Sequence, residues 1–118
     1  MQLQASEALW RTYAADSLAG STALVTGGGS GIGRSTARLL AWLGCRVAVV
    51  GRTPDRLART AAGIAEDGGP AVLCVPCAVR EPEQVDALIE QVLAEFGRID
   101  ALVNNAGGSQ AAEWDAEG

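Results

Sequence analysis

Five glycines crowd into the seven residues Gly27-Gly28-Gly29-Ser30-Gly31-Ile32-Gly33, and neither a strand nor a helix can run through such a stretch without a large entropic cost. On its N-terminal side, Thr22-Ala23-Leu24-Val25-Thr26 is a short apolar run of the kind that forms a buried strand. On its C-terminal side, Ile32, Thr36, Leu39, Leu40 and Leu43 recur on one face of a helix predicted over residues 32–43, with Gly44 as its stop. The unit reads strand, loop, helix. Glycines at that junction permit a tight turn, let the backbone approach a ligand without a Cβ, and let the helix pack closely on the strand.

The alternation continues downstream. Arg46-Val47-Ala48-Val49-Val50 is a second apolar run, and Thr53-Pro54-Asp55 supplies a helix start: a hydroxyl cap, Pro at the first helical position and an acid in the first turn. Leu57, Ala61 and Ile64 give that helix its inner face, and Gly68-Gly69-Pro70 ends it. Ala71-Val72-Leu73-Cys74-Val75 is predicted as strand three. Val85, Leu88, Ile89, Val92, Leu93 and Phe96 form the stripe of a third helix, with Pro82 near its start and Gly97 at its end, and Ala101-Leu102-Val103 is strand four. Nearly continuous apolar strands alternating with amphipathic helices imply an α/β fold with a parallel sheet covered on both faces. Right-handed crossovers favour a Rossmann-type half with strand order 3-2-1-4. The expected organisation is an N-terminal lead over residues 1–20, a nucleotide-binding half over residues 21–108 and a C-terminal tail over residues 109–118.

Composition narrows the chemistry. The chain has 118 residues, 48% hydrophobic and 19% charged, enough for one folded domain and unlike a disordered segment. Its net charge of −5 conceals a sharper fact: all nine basic residues are Arg, with no Lys and no His. Imidazole bases, imidazole metal ligands and amine nucleophiles are therefore missing. The arginines form no basic run, so nucleic acid is not an expected partner. Cys45, Cys74 and Cys77 make an odd count, which fits a reducing cytoplasm better than a secreted disulfide scaffold. Residues 1–20 hold no apolar run of signal-peptide length, and nothing approaches the ~20 apolar residues of a membrane span, so no membrane partner is expected. The pair in Cys74-Val75-Pro76-Cys77 reads as strand-end packing, because a structural zinc site wants four ligands and a redox pair wants a helix N-terminus.

A glycine loop between a strand and a helix aims backbone N–H groups and the positive end of the helix dipole at a phosphate. The general dinucleotide fingerprint G-x-G-x-x-G is not met, since from Gly27 and Gly29 the third glycine would fall at Ile32. The spacing is G-x-x-x-G-x-G, through Gly27, Gly31 and Gly33. A rival loop runs from Gly28 to Ser35 as G-x-x-x-x-G-R-S, one residue from the triphosphatase pattern G-x-x-x-x-G-K-[ST]. It fails because a forked guanidinium stands where a compact ammonium must reach the phosphates, and no strand ends in an acid placed to help hold Mg²⁺.

With the Gly27 spacing, the run Asn104-Asn105-Ala106-Gly107 after strand four and the element order between them, residues 18–108 resemble the short-chain dehydrogenase/reductase family. That resemblance implies that Gly27, Gly29, Ser30, Gly31, Ile32 and Gly33 hold a pyrophosphate, that Asn105, Ala106 and Gly107 line the cofactor's ribose side, and that Asn104 steadies the central sheet. It also implies NAD(P)-dependent hydride transfer and a homo-oligomer in the complete protein. Where an acid would accept from the ribose 2′-hydroxyl of NAD, the end of strand two reads Val49-Val50-Gly51-Arg52-Thr53, and Arg52 suits a 2′-phosphate. NADP(H) is therefore the preferred cofactor, with NAD(H) possible. The family commonly has an Asp-Val pair after strand three. Here Ala78-Val79 removes a side-chain contact to adenine and leaves Val79 its backbone.

The family's catalytic set is Tyr and a Lys four residues later, with Ser and Asn assisting. The only Tyr is Tyr13, the residue four positions on is Ser17, and there is no Lys to lower a phenol pKa. No catalytic residue and no metal ligand is assigned, and the chain is expected to bind cofactor without turning it over alone. Within the family, Thr-Gly-Gly-Gly-Ser-Gly-Ile-Gly, Val-Gly-Arg-Thr and Asn-Asn-Ala-Gly-Gly look most like the 2-enoyl-CoA and 2,4-dienoyl-CoA reductases. The alternative is a non-catalytic nucleotide-binding or subunit-interaction module, and an uncovered strand-four edge would favour association.

Overall fold

The computed structural model describes residues 17–29 and 31–105. In chain order the elements are β1 (Thr22–Thr26), α1 (Gly31–Trp42), β2 (Arg46–Gly51), α2 (Pro54–Glu66), β3 (Leu73–Pro76), α3 (Pro82–Phe96) and β4 (Ala101–Val103). The strands form one parallel sheet in the order β3-β2-β1-β4, as the alternation implied. Register is set by apolar strand residues opposing one another, with Leu24 between Ala48 and Leu102, and Val25 between Val49 and Val103. Because successive side chains leave opposite faces, the sheet has two cores. Ala23, Val25, Val47 and Val49 meet Ala37 and Ala41 of α1 and Leu57 and Ile64 of α2. Leu24, Ala48, Val50 and Val75 meet Leu88 and Val92 of α3.

Four local expectations need correction. The first helix forms one residue earlier than expected and turns a different face inward: Ile32 is 75% exposed, and the buried residues are Gly33, Ala37 and Ala41. Thr36, Leu39, Leu40 and Leu43 are only half-buried. The glycine loop draws the start of α1 so close to β1 that a seam of small residues fits beneath it, and the larger apolar side chains flank that seam. On α2 the buried trio is Leu57, Thr60 and Ile64, while Ala61 is half-buried. Thr60 can be buried because its hydroxyl finds a carbonyl there.

The Thr53 side chain does not cap α2. Its carbonyl instead accepts from the N–H groups of Arg56 at 3.1 Å and Leu57 at 3.2 Å. Strand three begins at Leu73, not Ala71, since the return from α2 uses residues 67–72 to reach the register that sets Leu73 opposite Ala48. The α3 stripe holds, with Leu88 and Val92 buried, although Leu93 is 43% exposed. Gly97 ends that helix in the left-handed region at φ 80° and donates its N–H to the Leu93 carbonyl at 2.8 Å.

The N-terminal ends of the strands are tied by side chains. Arg46 donates to the Phe96 carbonyl at 2.7 Å and lies 5.1 Å from the centre of the Phe96 ring. Asp100 receives the Thr22 N–H on its carboxylate at 2.8 Å and returns its own N–H to the Thr22 carbonyl at 2.9 Å. Among the described residues, no helix is long and apolar enough to cross a membrane.

Candidate functional site

The C-terminal ends of β1 and β4 meet through one hydroxyl. Thr26 Oγ1 accepts the Asn105 N–H at 2.9 Å and points its own proton toward the Val103 carbonyl at 3.3 Å and Asn104 Oδ1 at 3.2 Å. Asn104 thereby ties β4 to β1, in keeping with the sheet-steadying role its motif implied. Thr26 itself was not singled out from sequence; a hydroxyl closing an apolar strand beside a glycine run was the available signal.

The loop that follows is held from three sides. Gly28 donates its N–H to the Val50 carbonyl at 3.2 Å, Thr60 donates its hydroxyl to the Gly28 carbonyl at 2.7 Å, and Arg34 Nη2 donates to the Gly29 carbonyl at 2.8 Å. Gly27 and Gly31 both adopt positive φ, 64° and 56°, where a Cβ is disfavoured. Gly33 is required for space. A Cβ on it would overlap the Gly27 carbonyl oxygen and come within 2.9 Å of Asn105 Nδ2. The two motifs, separated by about seventy residues in the chain, thus converge on one glycine. Arg34, the residue that stood in for the triphosphatase lysine, is turned back onto the loop's own carbonyl. Its Nε is the one buried side-chain nitrogen or oxygen without a partner among the described residues.

Beside the loop, a cleft of about 450 Å³ opens at the C-terminal edge of the sheet. Gly27 and Gly29 form one margin, Arg52 and Val79 the others, so four of the sequence-assigned residues share it. Asn104 also lines it, whereas Asn105 is packed against Gly33. Gly31 and Gly33 open α1, and Ile32 is turned to solvent, leaving its backbone as the part able to serve a ligand. Ser30, Ala106 and Gly107 lie outside the described residues.

Arg56, Arg80 and Cys77 line the cleft as well; sequence reasoning passed over the two arginines and read Cys77 as strand-end packing. Arg56 follows Arg52 by four residues, a spacing that could have flagged it. The Cys77 thiol is pushed up by burial, so it stays protonated and is a poor nucleophile. Cys74 and Cys77 belong to opposite faces of the sheet, Cys74 against the α1/α2 core and Cys77 in the α3 core, which fits strand-end packing.

The site lies at the switch point of the sheet, where the chain order turns from β2 to β4 on either side of β1, the crevice in which open α/β sheets bind ligands. Its size is that of small-molecule sites in general. The described residues supply backbone donors, glycines that admit close approach and arginines, with no side chain disposed as an acid-base pair.

Comparison with known proteins agrees with this geometry. The profile of the family described as short chain dehydrogenase matches residues 21–117. The zebrafish (Danio rerio) peroxisomal 2,4-dienoyl-CoA reductase is 36% identical over 97 residues, covering 82% of this chain and 32% of that protein. Among solved structures, the citronellol catabolism dehydrogenase of Pseudomonas aeruginosa is 52% identical with a TM-score of 0.70, covering 73% of this chain and 36% of that one. The L-sorbose reductase of Gluconobacter frateurii, solved with NADPH and L-sorbose, is 44% identical with a TM-score of 0.71, covering 75% of this chain and 34% of that one. The chain spans about a third of the length of these three proteins.

Proposed function

Because the chain belongs to the short-chain dehydrogenase family, we propose that it is the dinucleotide-binding part of an NAD(P)-dependent oxidoreductase and that it prefers NADP(H) to NAD(H). The observation that carries this reading is Gly33, whose missing side chain lets the Gly27 carbonyl and the Asn105 amide close on the first turn of α1 beside the cleft. A pyrophosphate at the Gly27–Gly33 loop would meet backbone N–H groups and the helix dipole. Val79 and the Asn105-Ala106-Gly107 run would take the adenine and ribose portions. When bound, the nicotinamide supplies or accepts the hydride; the residues described here bind and orient.

The preference for the 2′-phosphate rests on Arg52 at the end of β2 and on the absence of any acidic residue from the described lining of the cleft. The NADPH-bound sorbose reductase supports a phosphorylated cofactor within the family. For the complete protein, the substrate class is a carbonyl or an enoyl-CoA thioester, a reading the dienoyl-CoA reductase relative supports. This chain alone is inactive, since its single Tyr13 has no Lys beside it and none exists elsewhere in the 118 residues. Titration calorimetry with NADPH and NADH tests the binding reading: NADPH should bind the more tightly, and NADH binding as well or better would sink the preference. A turnover assay accompanies it. Hydride transfer by the chain with no added protein would overturn the claim of inactivity.

A further inference from the structure

Two successive carbonyls of the glycine loop are held by side-chain donors. Thr60 donates its hydroxyl to the Gly28 carbonyl at 2.7 Å, and Arg34 donates from Nη2 to the Gly29 carbonyl at 2.8 Å. Both glycines are buried, and α2 crowds the second, since a Cβ on Gly29 would lie 2.9 Å from Arg56 Cβ. What glycine leaves free is rotation of the peptide that follows it. A trans peptide is planar, with C=O and N–H on opposite sides, so anchoring the carbonyl oxygen also fixes where that peptide's N–H points.

The placement of Arg34 does little for its own helix. It is the fourth residue of α1, at the positive end of the helix dipole, and no acid stands in the first turn. A cation is disfavoured there. Its Nε, buried without a partner among the described residues, adds the cost of an unmade hydrogen bond. An arginine that weakens its own helix start while gripping a loop carbonyl serves the loop. We propose that Arg34 is a positioning residue for nucleotide binding: by holding the Gly29 carbonyl it keeps that acceptor turned from a bound pyrophosphate and leaves the N–H of the same peptide to face it. A carbonyl oxygen aimed at a phosphate repels it and an N–H attracts it, so the orientation of one peptide decides the sign of a contact. This inference rests on the dinucleotide-binding reading above and concerns the part common to NADP(H) and NAD(H).

The test measures Kd for NADPH and NADH, and the unfolding midpoint, for the wild-type chain, Arg34→Met and Arg34→Lys. Arg34→Met should lose roughly tenfold in affinity for both nucleotides, the equivalent of one charge-assisted contact, with its unfolding midpoint unchanged. Arg34→Lys, which keeps an N–H donor on a long stem, should recover most of the loss. The ratio of wild type to Arg34→Met should persist in about 1 M salt, where bare charges are screened beyond ~3 Å. Collapse of that ratio would overturn the proposal, because Arg34 would then act by its charge on the phosphates. Unchanged affinity in Arg34→Met, or no recovery in Arg34→Lys, would each overturn it too. Loss confined to NADPH would reassign Arg34 to the 2′-phosphate, and a fall in the unfolding midpoint matching the affinity loss would reassign it to the fold. Wild type binding neither nucleotide would defeat the parent reading along with this one.

Discussion

At the N-terminal ends of the strands, arginines are matched to acceptors: Arg46 to the Phe96 carbonyl, and Arg98 to Asp100 at 2.6 Å. At the C-terminal ends, Arg52, Arg56 and Arg80 line a cleft that no described acid enters. Where an arginine meets a carbonyl or carboxylate at the base of the strands, the contact ties elements together; the arginines of the cleft stand where the proposed nucleotide would lie. The glycines divide in the same way. Gly97 closes a helix, whereas Gly33 leaves room for a carbonyl and an amide at the edge of the glycine loop.

This contrast can be broken most decisively at Gly33. Gly33→Ala should lower stability by about 3 kcal/mol, as overpacking against backbone does, and reduce nucleotide affinity by tenfold or more. Denaturant unfolding and calorimetry would measure both, and an unchanged affinity would remove the glycine from the site. The opposite end should separate the two readouts. Arg46→Met should cost about 2 kcal/mol through loss of a charged hydrogen bond and the ring contact, with nucleotide affinity preserved in the folded fraction. A matching drop in affinity would show that the two ends are coupled.

Thr60 sharpens the boundary between these roles. Its hydroxyl is buried on the Gly28 carbonyl, so Thr60→Val should cost about 1–2 kcal/mol by stranding that carbonyl and weaken nucleotide binding by loosening the loop. Thr60→Ser should restore most of the binding, and failure to do so would assign the effect to packing. The smallest expected effect is a pH dependence at Asp100, whose carboxyl is held below its ordinary range first by the Arg98 hydrogen bond and then by the Thr22 N–H. A folded pKa below the unfolded one means the stabilisation is present in full above the usual Asp value. It is lost as pH falls through the lower folded value, below about pH 4. Comparing unfolding midpoints of wild type and Asp100→Asn across that range should show the difference shrinking on acidification; a constant difference would exclude the carboxylate as its source.

The order of elements and the strand order were legible because they depend on patterns a single chain displays: apolar runs of strand length, helical spacing, glycine and proline at the breaks. The Gly27–Gly33 loop was legible because its glycines are needed locally, two of them for positive φ. The inner face of α1 was not. Counting large apolar residues points to Ile32 and Leu39, yet the buried side is Gly33, Ala37 and Ala41, because proximity to β1 rewards small residues over hydrophobic ones.

Arg56 and Arg80 were equally hidden, since an arginine in a helix or a loop reads as solvated until the fold shows what it faces. The sequence by itself determined the parallel α/β architecture, the glycine loop between β1 and α1 and the lack of a Tyr-x-x-x-Lys set, all consequences of local spacing and residue type. Only the tertiary structure decided that Gly33 meets Asn105, that Thr60 holds the loop and that three arginines share one cleft. These are contacts between segments distant in the chain, and they exist only after the strands have paired in register.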